Sequence, residues 1–366
     1  MNSPASTASA TSFVLGVTGN MDPDFEKLDE SVLRDRINTI LLFLRFGGAA
    51  ADPRNPSNSL GDSLLEILAG PEETRRFATW EGVPEHEDFI LLSSFAPGAD
   101  TLFADTFVEL EKTVPGFRGR VRAALPFPPD IYRLCSTFLS NPDSPTESDL
   151  QKQAVFDEWM TQLPPEDVFE VFLAEDLDLP LDGQSDVRSR FEEDRHDDER
   201  CNLRYQVAGE FVAGYSTLLL SLFDDRFNSL SPAGSNDIVE SRLRNSQDTL
   251  LPPDGKTPHG ELYDWRNCES VLHLYHPRRK TRSVAERDKT PPPGEGAREG
   301  HPLRFLAPYE LGPRDDETVG LLSNIWNLEE RVNDLAHDER DRLLDEFAAW
   351  QERGIEHFFA STRGRT

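Results

Sequence analysis

The sequence predicts an α/β protein built on a doubly wound parallel sheet. Short apolar runs, too short for surface helices, recur at residues 13–19, 89–94, 120–125, 218–223 and 270–275, most of them ending in small or turn-forming residues. Between them apolar residues return at helical spacing. Strands that alternate with helices in this way form parallel sheets joined by crossovers.

The elements follow in order. Residues 1–11 are rich in Ser, Thr and Ala and read as a flexible tail. The first strand runs through Phe13-Val14-Leu15-Gly16-Val17-Thr18-Gly19-Asn20. Asp22-Pro23-Asp24 then offers a helix start, and Leu28, Val32, Leu33, Ile37, Ile40, Leu41 and Leu44 recur at helical spacing up to the Gly47-Gly48 stop. Residues 49–61 read as loop, and Leu64 to Leu68 as a further helical turn. A second strand at 89–94 leads into a helix over 99–112. The third strand, 120–125, ends at Pro126-Phe127-Pro128-Pro129. Residues 140–198 are acidic and punctuated by proline, with a weak helical pattern over 151–162, and read as an insertion. A helix over 203–212 feeds the fourth strand, 218–223. A helix over 237–245 and the fifth strand, 270–275, complete an α/β domain over 12–280.

Two polar or helical segments follow. Residues 277–302 are rich in Pro and Gly and predict a mobile loop, overlapping a loop segment over 281–310 that follows the α/β domain. The end of the chain, 311–366, predicts a helical extension with Leu321, Leu322, Ile325, Leu328, Val332 and Leu335 on one stripe. Trp350, Ile355, Phe358 and Phe359 continue apolar surface beyond it, which points to a homodimer or an effector partner through these helices, or to packing within the monomer.

Composition excludes some classes. A net charge of −29 argues against general nucleic-acid binding, which needs clustered Lys and Arg to displace counterions. Only six of the 38 basic residues are Lys, so an anion site would use Arg. Cys135, Cys201 and Cys268 stand singly, with no secretory leader, which predicts a reduced, cytoplasmic setting. The longest apolar stretch, 212–223, falls well below the roughly 20 residues that span a bilayer. No metal site is expected. His273 and His276 sit three apart beside a strand, where alternation sends them to opposite faces. The acidic run from Glu192 to Glu199 lacks the spacing of a calcium loop and reads as a solvated face. Arg278, Arg279, Lys280 and Arg282 form a basic knot, either a lid over a ligand or a solvated loop.

The strand ends carry the functional signal. The loop after Gly19 and the loop Ser93-Ser94-Phe95-Ala96-Pro97-Gly98-Ala99-Asp100 each join a buried strand to a helix, so backbone N–H groups and helix starts would face one crevice suited to a phosphate. The order of these motifs, Leu15-Gly16-Val17-Thr18-Gly19, then Ser93-Ser94 through Pro97-Gly98-Ala99-Asp100, then Leu125-Pro126-Phe127-Pro128-Pro129 with Tyr132, then 219–223 ending in Asp224, resembles the SLOG superfamily. That Rossmann-like group includes Lonely Guy phosphoribohydrolases, DNA-processing protein A and the nucleotide-sensing domain of melastatin channels.

The resemblance implies a nucleotide-derived ligand and no further cofactor. It carries over Gly16, Thr18, Gly19, Ser94, Gly98 and Ala99 as contacts. Asn20 is a further candidate contact, but Asn20 and Met21 stand where bacterial relatives often have the His and Arg of a Thr-Gly-His-Arg-Asp motif, so two cationic contacts are missing. Asp100 would bind a ribose hydroxyl or serve as a first-turn charge on its helix. The Pro-Gly-Gly-x-Gly-Thr-x-x-Glu signature of the Lonely Guy enzymes corresponds to Pro232-Ala233-Gly234-Ser235-Asn236 followed by Glu240. Gly234, Ser235 and Asn236 keep its turn, while the signature itself is broken. The resemblance therefore implies a sensor that reports occupancy to an effector. A nucleotide phosphoribohydrolase or related N-glycosidase of the Lonely Guy type, using Glu240 and an Arg such as Arg242, is the alternative, and a scaffold without ligand a third. Gly98→Val is expected to weaken binding while sparing the fold, since its turn lies outside the expected core.

Overall fold

The computed structural model describes residues 12–19, 30–68, 80–85, 87–173, 176, 184–223, 234–244, 271–275 and 303–305. The tail over 1–11, the basic knot and the helical extension with its stripe lie outside them. Strand β1 (Ser12–Gly19) is buried along its whole length, as its apolar run requires. Helix α1 (Glu30–Phe46) follows the expected apolar stripe and stops at Gly47, whose φ of +83° suits glycine alone. Residues 49–61, expected as loop, instead form a small hairpin of β2 (Ala51–Asp52) and β3 (Asn55–Ser59), and Ser59 caps α2 (Leu60–Leu65) with a reciprocal bond to Asp62.

Next come β4 (Asp88–Ser93), α3 (Ala99–Thr113), β5 (Arg120–Leu125), the short α4 (Pro129–Tyr132) and α5 (Glu147–Gln162). Strand β6 (Val168–Glu170), α6 (Gln184–Arg195), α7 (Asp198–Gly214), β7 (Leu218–Phe223), α8 (Ser235–Arg244), β8 (Val271–Tyr275) and β9 (Leu303–Phe305) complete the described chain.

The sheet has the order β6-β5-β4-β1-β7-β8-β9, and all pairings are parallel except β8 with β9. The chain builds outward from β1 on one side through β4, β5 and β6, then crosses to the other side to place β7 against β1. The reversal point of this Rossmann-like sheet therefore falls between β1 and β7, where open α/β sheets bind their ligands beyond the strand ends. Strand alternation sends Phe13, Leu15 and Val17 into a core shared with α1, α2, α3 and α5, and Val14 into a second core with α7 and α8.

Two expectations are corrected by this packing. Residues 140–198 are not set apart from the sheet. Phe156 and Trp159 of α5 join the first core, and β6 adds an edge strand tied by the Asp167 carboxylate to Arg120 at 2.6 Å and Arg122 at 3.4 Å. In the expected loop over 281–310, Leu303–Phe305 forms an antiparallel strand on β8.

The acidic run Glu192 to Glu199 is likewise not simply a solvated face. Asp194 is buried, and its Oδ2 accepts from Arg204 Nε at 2.6 Å while Oδ1 accepts from Arg200 Nε at 3.1 Å. Asp197 caps α7 by accepting from the N–H groups of Glu199 and Arg200. The Arg204 guanidinium, fully buried, also grips Asp176 with two bonds of 2.9 and 3.2 Å and lies 4.1 Å from the Phe191 ring centroid. This cluster fastens the chain after β6 to α6 and α7. Removing one partner of a buried ionic cluster strands the others. Arg204→Ala is therefore expected to lower unfolding free energy by about 3–5 kcal/mol in chemical denaturation, and a loss within the scatter of surface substitutions would contradict this role.

Candidate functional site

The site is built around the last residue of β1. Gly19 pairs with Leu222 of β7, and a Cβ there would meet the Cβ of Ala99 and, at 2.6 Å, the Leu222 carbonyl oxygen. The first residue of α3 thus rests on the end of the central strand. On the same residue Ser235, the first of α8, donates its hydroxyl to the Gly19 carbonyl at 2.6 Å. Of the predicted contacts, Gly19, Gly98, Ala99, Gly234 and Ser235 are brought together by these two helix starts.

The two starts share a chemical feature. The carbonyl of Gly98 accepts from Leu102 N–H at 3.0 Å, and that of Gly234 accepts from Ile238 N–H at 3.2 Å, so a glycine occupies the capping position of each helix. Glycine offers no side-chain acceptor to the N–H groups of the first turn. Elsewhere the sequence supplies one: Ser59, Thr146 and Asp197 cap α2, α5 and α7 with their side chains. Among the described helix starts, α3 and α8 at the sheet's reversal point have glycine at this position, and the short α4, which follows Pro128, also has no side-chain cap.

The β4–α3 loop is held rigidly around this point. Phe95, fully buried, takes a left-handed backbone with φ +56° and packs its ring 5.3 Å from Trp159. Gly98 has φ +103° and ψ −115°, a conformation closed to side-chain-bearing residues. Gly98→Val therefore strains the fold, against the expectation that it would be spared. The loop is closed from within by Asp100. Its Oδ2 accepts from Ser93 Oγ and Ser94 Oγ, each at 3.0 Å, and its carboxyl also accepts backbone bonds from Ser94 and Ala96. Asp100 is 3% exposed. The carboxylate thus braces the loop, and the half-buried Ser94 has its proton committed to it.

Other candidates lie elsewhere. Gly16 sits within β1, opposite Leu92 and Leu219, where a Cβ would overlap Ser216 Oγ and approach the Val212 carbonyl at 3.0 Å. Its bareness admits the end of α7 and is not a ligand contact. Thr18 is buried beside Ser221, on the strand face shared with Val14 and therefore with α7 and α8. Tyr132 packs at 5.0 Å from Phe138 and 5.4 Å from Phe156, and burial lifts its phenol well above the usual range. Asn236 follows Ser235 in the first turn of α8, and Glu240 lies on its next turn. Asn20 lies outside the described residues. Arg242 is removed from the crevice: fully buried, it donates to the carbonyls of Ala213 and Ser216 at the opposite end of β7.

Sequence reading missed the Asp100 brace and the Arg204 cluster. The signal for the second was an arginine within the apolar stripe of Cys201, Val207 and Ala208. Among the described residues no group of His, Cys, Asp and Glu is arranged to hold a metal, and no helix is long and apolar enough to cross a membrane. Comparison with protein-family models, with curated proteins and with solved structures gave no match.

Burial of Asp100 outweighs its hydrogen bonds and pushes the carboxyl up from 3.8 to about 6. The folded protein then holds a proton between these values that the unfolded chain has lost, so this group's contribution to stability is present in acid and is lost as pH rises through 6. Asp100→Asn is expected to remove that slope. The difference in stability between variant and parent should change by up to about 3 kcal/mol from pH 4 to pH 7, as read from urea unfolding at each pH. A constant difference would place the carboxylate in an unperturbed environment.

Proposed function

We propose that this protein binds the phosphate of a nucleotide or nucleotide-derived ligand at the junction of Gly19, Ala99 and Ser235, and that it acts as a SLOG-like sensor which passes occupancy to an effector. The observation that carries the reading is the pair of glycine-capped helices, α3 and α8, meeting at the sheet's reversal point. Helix starts carry partial positive charge and free N–H donors, and a phosphate satisfies both. An anion held this way needs little cationic side chain, which accords with a strongly acidic chain that lacks the expected basic residues after Gly19.

Binding without turnover is the favoured form of this reading. The phosphoribohydrolase alternative assigned the sugar chemistry to Glu240 and Arg242. Arg242 serves instead to hold the end of α7. The effector, and a cytoplasmic setting for the pair, belong to the same proposal.

Titration calorimetry with nucleoside mono- and diphosphates, cyclic nucleotides and adenosine diphosphate ribose tests the reading. At least one of these should bind. Ser235→Glu places a carboxylate at the start of α8, where the helix dipole tolerates it but a phosphate does not. It is expected to weaken that binding by about tenfold or more. Silence across the series, or unchanged affinity in the variant, would contradict the site.

A further inference from the structure

We propose that anion binding at the strand ends is linked to the uptake of one proton by Asp100, which frees the Ser94 hydroxyl to donate to the bound phosphate; the inference rests on the site proposed above. Asp100 is the second residue of α3, next to the Ala99 whose Cβ lies against Gly19, and it is buried. The β1–β4 register pairs Gly16 with Leu92, so Ser94 falls at the level of Thr18, one residue short of Gly19. Ser93 and Asp100 are buried, whereas Ser94 is half-buried. Ser94 is thus the member of this cluster that reaches accessible surface at the strand end.

The groups that hold the carboxylate are neutral donors. Ser93 Oγ and Ser94 Oγ both donate to Oδ2 at 3.0 Å, and the N–H groups of Ser94 and Ala96 donate to the same carboxyl. Charged groups on the neighbouring elements are paired with other residues. On α1, Glu30 and Arg34 pair with each other and Arg34 reaches Asp105 at 3.8 Å. On β5, Arg120 and Arg122 lie towards the far end of the strand and pair with Asp167. Strand β1 carries no charged residue. Tyr132 of α4 feels the Asp100 charge, and burial keeps its phenol neutral. Burial with no cation to offset it pushes the Asp100 carboxyl up to about 6, so it titrates near neutral pH.

A proton on Oδ2 turns that oxygen from acceptor to donor, and one of the two hydroxyls must then turn and accept it. Ser93 is fully buried, and its oxygen already accepts from the Phe95 N–H at 2.9 Å. Ser94 is therefore the one that turns. Its own hydrogen leaves the carboxyl and becomes available to a phosphate oxygen at the strand ends. Charge acts in the same direction, because an anion beside Asp100 disfavours the carboxylate, so occupancy and protonation favour each other. Above pH 6 the empty protein holds Asp100 ionised, binding draws a proton from solution, and apparent affinity falls as pH rises. Below that pH the proton is already in place and affinity levels off.

Titration calorimetry on the full chain tests this with adenosine diphosphate ribose, whose pyrophosphate keeps one charge across neutral pH, and with sulfate, also of fixed charge, as a probe of the phosphate position alone. Kd should rise by about tenfold or more from pH 6 to pH 8, and buffers of different ionisation enthalpy should report uptake of close to one proton per ligand at pH 7. The Asp100→Asn amide donates to Ser94 as the protonated carboxyl does. That variant should bind at pH 8 about as tightly as the parent at pH 6, with no proton uptake. Ser94→Ala should weaken binding more at pH 6 than at pH 8. Binding without proton uptake, or an Asp100→Asn variant that keeps the parent's pH profile, overturns the linkage and leaves the site standing. An equal loss in Ser94→Ala at both pH values overturns the hydroxyl's part in it. Absence of binding by both probes at every pH removes the site and the linkage together. The proton count on the unaltered chain carries the test even where a variant fails to fold.

Discussion

A side chain at Gly19 would occupy the space now held by the Cβ of Ala99 and the carbonyl of Leu222. Because that space is open to its neighbours, the first turn of α3 can settle against the end of the central strand, and Ser235 can reach the same residue's carbonyl from the other side. The meeting of two helix starts at the sheet's reversal point depends on this one missing Cβ. Topology brings the helices to the place, and Gly19 lets them close.

What the helices present there follows from their capping residues. A Ser, Thr or Asp cap neutralises part of a helix's N-terminal donor set, and α2, α5 and α7 are built that way. Gly98 and Gly234 leave the donors of α3 and α8 for another acceptor. The cost of holding the β4–α3 loop in this shape is visible in the left-handed Phe95 and the unusual backbone of Gly98. Asp100 offsets it by drawing Ser93, Ser94 and two backbone amides onto one buried carboxylate. An internal brace of this kind holds the loop in one shape, which the proposed recognition of a small anion would need.

The sheet was legible in the sequence wherever strands were continuous apolar runs. All five expected strands are present and parallel, and the helices over α1, α3, α7 and α8 fall within a few residues of their expected bounds, apart from the later described start of α1 and the longer N-terminal reach of α7. Strand β6, Val-Phe-Glu, was too short and too polar to announce itself, and it joins the sheet because Asp167 pairs with Arg120 and Arg122. The candidate site was half legible. Residue type and order located Gly19, Gly98, Ala99, Gly234 and Ser235, because glycine and small residues at strand ends are a local signal. The roles of Gly16, Asp100 and Arg242 were not legible, because each is set by a partner distant in the chain or by a side chain that turns inward. The same holds for Arg204, whose two aspartates lie on separate segments.

The central claim is that two side-chain-free helix caps at the end of β1 form an anion site. Crystals of the full chain soaked in adenosine diphosphate ribose test it most directly. The account predicts phosphate density within hydrogen-bond distance of the first backbone N–H groups of α3 and α8, above Gly19. Density at another edge of the sheet, or an empty crevice in crystals of a protein that binds the compound in solution, would contradict it.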